Sequence, residues 1–302
     1  EIDPYPKVIY RNSHMRVWFA QDREFKQPRA QINLRIKSPL VAANAEGAAL
    51  AQLFAALLVD QLNEFAYPAH LAGIDYTLTA NGRGYDLGIF GYSGRQGMLM
   101  NKIITAMNAG QFKEDRFLLL KEKLLRNWRN QDKDMPYLVL AQQISAMHLE
   151  PAWSNTELIA ALEAKNFVQF NQFVSRQLID AKTDALFYGN YFRAEALKLA
   201  VLVEHELLNR RAGRDLPPLV QLMLPPEADK PWLYAQSLNH SDHIVELFVQ
   251  SPSASVVDAA HMLLVRQLLQ PAFYYQLRTQ KQLGYIVGAL SAPVLNLENS
   301  LL

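Results

Sequence analysis

One pattern in this chain occurs twice. The runs I-N-L-R-I-K-S-P at Ile32 to Pro39 and V-E-L-F-V-Q-S-P at Val245 to Pro252 share an alternating apolar and polar register that stops at Ser-Pro. Strict alternation is the signature of a strand with one wet face, and a proline, which cannot donate to a ladder, ends it. An apolar helical run follows each copy, and then a short strand holding an aromatic residue, Tyr76 in the first and Tyr285 in the second. The two serines stand 213 positions apart. Solenoid repeats recur every 20 to 50 residues or so, so this spacing implies a duplicated domain with the second copy truncated. Because the 302 residues end before that copy could build its later helices and its return strand, the expectation is a segment of a larger polypeptide.

The first copy reads in more detail. Met15 to Ala20 and Ala30 to Lys37 are strands, and Glu46 to Phe65 is a helix apolar on nearly all sides and therefore buried. After a second helical signal around His70, Ile74 to Ala80 and Tyr85 to Tyr92 form a hairpin across Asn81-Gly82. Two amphipathic helices fill Gln96 to Trp128, and Pro136 to Phe173 is helical with a break near Pro151. Ala185 to Tyr191 is a strand ending in a turn, and Ala194 to Asn209 closes the domain as a helix. Strands first and last around helices predict an α+β fold, a mostly antiparallel sheet packed by helices. Between Arg210 and Lys230 the residues Pro217, Pro218, Pro225 and Pro226 read as a linker, dividing the chain into 1–210 and 211–302. In the second part Val256 to Leu277 is the apolar helix.

Charge and composition exclude several functions. With 30 Lys+Arg against 29 Asp+Glu there is no basic excess to bind nucleic acid. The chain has no cysteine, hence no disulfide, no thiolate metal site and no thiol nucleophile. The longest nearly uncharged run, Gly47 to Val59, is shorter than the roughly 20 residues a bilayer span needs, so no membrane partner is expected.

Motifs narrow the chemistry further. No H-x-x-E-H or H-E-x-x-H is present, nor G-x-S-x-G, nor a P-loop, and Gly82-Arg83-Gly84 is a hairpin turn with no helix behind it to cradle phosphate. His240-Ser241-Asp242-His243 could ligate a metal but fits a solvated turn better, and Glu204-His205-Glu206 fits an exposed helix face. Asp258 and His261, three apart on a helix, fit a surface hydrogen bond. The richest stretch is F-Y-Y-Q-L-R-T-Q-K-Q-L-G-Y-I-V at Phe273 to Val287. There Arg278 ends a helix, Gly284 allows a tight entry and Tyr285 begins a strand. Guanidinium and phenol donors converging across such a turn could hold a peptide carbonyl or a developing oxyanion. Equally, Arg278 could neutralise the helix end while Tyr285 packs in a sheet.

L-R-T-Q-K-Q-L-G-Y at Leu277 to Tyr285 resembles a segment of the pitrilysin and insulin-degrading enzyme family of inverted zinc metallopeptidases. The likeness extends upstream through W-F-A-Q-D-R-E-F-K-Q-P-R-A at Trp18 to Ala30, L-L-V-D-Q-L-N-E at Leu57 to Glu64, Leu71-Ala72-Gly73, Gly91-Tyr92-Ser93 and Pro136-Tyr137, and runs to about Val287. It implies four similar α+β domains enclosing a peptide chamber, with zinc and its H-x-x-E-H in the first. Residues 1–210 would be the third, non-catalytic copy, and 211–302 the linker and beginning of the fourth. Leu50, Leu53 and Phe54 fall roughly where the two histidines and the glutamate of the metal helix would stand, so no metal is expected on this segment, which is inactive alone. The partners implied are the N-terminal catalytic half of the same polypeptide and peptide substrates, and a periplasmic location is favoured over a cytoplasmic one. By the same resemblance Arg278 holds the substrate backbone, and Tyr285 stabilises the oxyanion formed when zinc-bound water attacks. The alternative is a pseudo-peptidase that only binds peptides or partner subunits.

Overall fold

Alternation along Arg29–Lys37 places Ile32, Leu34 and Ile36 on one side, almost wholly buried, while Gln31 points to solvent. The rest of the architecture is built around that strand. The computed structural model describes residues 5–131, 133–150, 152–208, 213–216, 220–221, 233–238, 240–249 and 255–290. It divides into two compact units, Glu1–His243 and Ile244–Leu302. The four linker prolines and Ser251-Pro252, the stop of the second alternating run, lie outside the described residues.

The first unit runs β1 (Lys7–Arg11), β2 (Met15–Gln21), β3 (Arg29–Lys37), α1 (Ala45–Leu71), β4 (Ile74–Asn81), β5 (Gly84–Tyr92), α2 (Gln96–Ala109) and α3 (Glu114–Gln131). It continues with α4 (Pro136–His148), β6 (Leu149–Glu150), α5 (Asn155–Glu163), α6 (Phe167–Val174), β7 (Lys182–Gly189), α7 (Arg193–Val203) and β8 (Val220–Gln221). Six strands form one sheet in the order β1-β2-β7-β3-β5-β4, antiparallel except where β2 lies parallel to β7. This is the α+β, mostly antiparallel sheet expected. A separate two-stranded pairing joins β6 to β8.

Register explains the layering. Ile32 stands between Ile89 and Phe187, and Leu34 between Leu87 and Ala185, so one face of the sheet is a continuous apolar surface. Helix α1 covers it with Leu50, Leu53, Phe54, Leu57 and Leu58, all nearly solvent-free. The opposite face carries ion pairs, Arg16 and Lys37 on Asp184 at 2.8 and 2.9 Å and Arg35 on Asp86 at 3.1 Å.

α1 differs from the sequence expectation. The helical signal at His70 is not a second helix, because α1 runs unbroken through Pro68 to Leu71. In the last turn, Pro68 removes only one hydrogen bond, at a solvent-facing helix end. At 27 residues α1 is long and apolar enough by length and composition to cross a bilayer, but 61% of its most apolar window is buried inside this unit, as a core helix would be. Its start is set by Asn44, whose side chain accepts from the Gly47 N–H at 2.9 Å.

Two buried polar groups tie layers together. Gln96, at the start of α2, donates to the carbonyls of Ala30 and Gly91 at 2.8 and 3.1 Å and accepts from the Tyr191 hydroxyl at 2.7 Å. Burial, with the nearby Glu195 carboxylate, raises Tyr191 far above an ordinary phenol, so this hydroxyl stays a donor. Ser38, where β3 stops, donates to the Gln177 carbonyl at 2.6 Å, and the buried Tyr85 hydroxyl donates to the Gln177 side chain.

Candidate functional site

Arg278 and Tyr285 both belong to the second unit. Its helix α8 (Val256–Tyr274) is capped by Ser255, which accepts from the Asp258 N–H at 3.1 Å, and it continues into a π-helical turn over Tyr275–Gln280. Arg278 therefore sits in that wider turn, one step beyond the regular helix. Lys281 N–H closes on the Gln276 carbonyl at 2.9 Å and Leu283 N–H on the Leu277 carbonyl at 3.0 Å. Between them Gln282 takes a φ of +52°, the left-handed conformation that ends helices. The chain thus doubles back, and Tyr285 returns to Arg278.

The two side chains meet. The Arg278 guanidinium carbon lies 5.2 Å from the centroid of the Tyr285 ring, within cation–π range. A guanidinium can engage an aromatic ring in this way and still retain in-plane N–H donors. Tyr285 is 86% exposed, and its phenol is reachable by an incoming acceptor. Arg266, on α8, donates to the Ala289 carbonyl at 3.1 Å and holds the segment after Tyr285 against the helix.

Three details depart from the sequence reading. Neither His243–Val249 nor the residues from Tyr285 onward form a strand among the described residues. A strand needs a partner to satisfy its backbone, and the second unit contains no other described strand to supply one. The tight bend falls on Gln282, not Gly284, where a Cβ would meet only an ordinary contact, the Ile286 carbonyl at 3.8 Å. Sequence reasoning missed Gln282 because a non-glycine residue gives no signal of a left-handed turn.

The other candidates resolve into structural contacts. His240 Nδ1 accepts from the Asp242 N–H at 3.0 Å, a turn interaction. Glu204 accepts from the Tyr10 hydroxyl at 2.9 Å, which raises the Tyr10 phenol and pins the end of α7 to β1. His205 lies 3.2 Å from Glu206, and His261 stands 4.0 Å from Asp258. Among the described residues no three His, Asp or Glu side chains gather as a metal would require. Leu50, Leu53 and Phe54 line the core of α1, with Phe54 against Tyr85 at 5.5 Å and Phe112 at 5.6 Å between ring centroids. These side chains offer no donor atom, and zinc does not fit there.

Residues 1–161 match the middle or third domain of peptidase M16, and residues 264–302 match domain 4 of the C-terminal lobe of PQQ synthase PqqF-like proteins. The bovine insulin-degrading enzyme is 31% identical over 291 residues, 95% of this chain and 29% of that protein. The a-factor-processing enzyme of Saccharomyces cerevisiae is 26% identical over 295 residues, 95% of this chain and 28% of that protein. This chain therefore spans under a third of the length of these relatives. Among solved structures, pitrilysin superposes with a TM-score of 0.79 at 20% identity, over 97% of this chain and 31% of pitrilysin. A peptidase M16 inactive domain from Pseudomonas fluorescens superposes with a TM-score of 0.58 at 15% identity, over 73% of this chain and 54% of that one. With more than half of its residues matching the family's middle domain, the chain belongs to the peptidase M16 family.

Proposed function

We propose that this chain is the substrate-holding, non-metal half of a zinc metalloendopeptidase, in which residues 1–210 are an inactive third domain and 211–302 begin a fourth. The observation that carries this reading is the Arg278–Tyr285 stack, a pair of hydrogen-bond donors presented together on a chain whose metal-helix positions are apolar. In this role Arg278 directs guanidinium N–H groups at the carbonyls of an extended peptide. The Tyr285 hydroxyl donates to the oxygen of the scissile carbonyl as negative charge develops on it. Neither residue supplies a nucleophile or a general base, so the bond-breaking groups and the zinc that gives the nucleophile its reactivity belong to a separate half bearing H-x-x-E-H. The substrates are peptides, and the catalytic half is the partner.

Calorimetric titration of zinc into the isolated chain tests the division of labour. No stoichiometric site is expected, because α1 offers leucine and phenylalanine where the ligands would stand. One tight equivalent of zinc would contradict the proposal.

A further inference from the structure

Among the described residues of the second unit, Gln282 alone holds its backbone in the left-handed region, at φ +52°. That conformation crowds the Cβ of any residue but glycine against the following carbonyl, so a glutamine stays there only where its surroundings hold it. Two backbone bonds straddle the position, Lys281 N–H on the Gln276 carbonyl at 2.9 Å and Leu283 N–H on the Leu277 carbonyl at 3.0 Å. The second reaches back one residue further than the usual closure of an α-helix, in keeping with the wider π-helical turn over Tyr275–Gln280 that it ends. Gln282 has an exposed side chain, so what this position gives the stack is its backbone conformation.

The conformation decides where Tyr285 goes. With Gln282 right-handed, the helix would run on. The seven steps from Arg278 to Tyr285, at 1.5 Å each, would then set the two Cα atoms roughly 10 Å apart along the axis. With Gln282 left-handed the chain reverses, and the Arg278 guanidinium carbon lies 5.2 Å from the Tyr285 ring centroid. We propose that Gln282 is the positioning residue of this pair. It touches neither side chain's donors and acts through the turn, and its part in catalysis rests on the role proposed above for Arg278 and Tyr285. Gly284 is excluded from that part, because its φ is not left-handed and a Cβ there meets only the Ile286 carbonyl at 3.8 Å.

Nuclear magnetic resonance of the 302-residue chain reads the stack directly. The ring current of Tyr285 shifts the Arg278 side-chain protons upfield, and Tyr285→Leu supplies the unstacked reference. Gln282→Gly and Gln282→Asn tolerate a positive φ and should keep the shift, as should Gly284→Ala. Gln282→Val puts a β-branched residue where it is a conformational outlier, and the shift should fall by at least about half toward the reference. Unchanged amide signals along α8 report that the helix still forms. In the full-length polypeptide, kcat/KM of Gln282→Val should fall at least about fivefold below that of Gln282→Gly. A full shift in Gln282→Val, or its loss in Gln282→Gly, would overturn the proposal. The role of the pair itself is judged separately by turnover of Tyr285→Phe, since the stack in the 302-residue chain is read without any catalysis.

Discussion

Tyr285→Phe in the full-length polypeptide is expected to lower kcat roughly 10²- to 10³-fold and leave KM close to its original value. The substitution removes one oxygen and nothing else from the pair. The ring remains, and with it the stack on Arg278 at 5.2 Å, so a peptide should still be held. What disappears is a donor whose benefit arises only as charge develops on the scissile carbonyl, and a loss confined to the transition state appears in kcat. A structural role for the phenol would show up as weakened binding or lost stability. Peptide turnover measured at several substrate concentrations separates these outcomes, and an unchanged kcat would remove Tyr285 from the reaction.

Phe54→Ala should destabilise the first unit by about 3–5 kcal/mol. Phe54 is fully buried and packs against Tyr85 and Phe112, so truncation leaves a cavity under the centre of the sheet. Urea unfolding followed by circular dichroism measures the loss, and a change below about 1 kcal/mol would mean that α1 is not the keystone of this core. The size of the effect bears on function. If Leu50, Leu53 and Phe54 occupy a metal helix's ligand positions, this copy has exchanged coordination for packing. A charged or imidazole side chain introduced there would be buried without a partner.

Much of this was legible because the relevant physics is local. β3 and its partner β5 follow from period-two alternation, and Asn81-Gly82 marked their neighbouring hairpin, where Asn81 pairs with Gly84 across a two-residue turn. β1 went unread because K-V-I-Y-R is short and half exposed at a sheet edge, where alternation is weak. The helical signal around His70 read as a second helix, whereas Pro68, standing in the last turn, leaves α1 unbroken to Leu71. The second copy of the alternating run was recognisable, yet alternation states only which face a strand would bury, and without a ladder partner its described residues form none. At the candidate site the residue types identified Arg278 and Tyr285, whereas the turn that joins them rests on Gln282, which carries no sequence mark.

The most direct test of the division of labour is to mix this chain with a separately produced half bearing H-x-x-E-H and follow cleavage of a fluorogenic peptide. Neither half alone should cleave, the mixture should, and the mixture with Tyr285→Phe should fall back by about two orders of magnitude. Cleavage by the H-x-x-E-H half at full rate without this chain, or a mixture indifferent to Tyr285, would contradict the account.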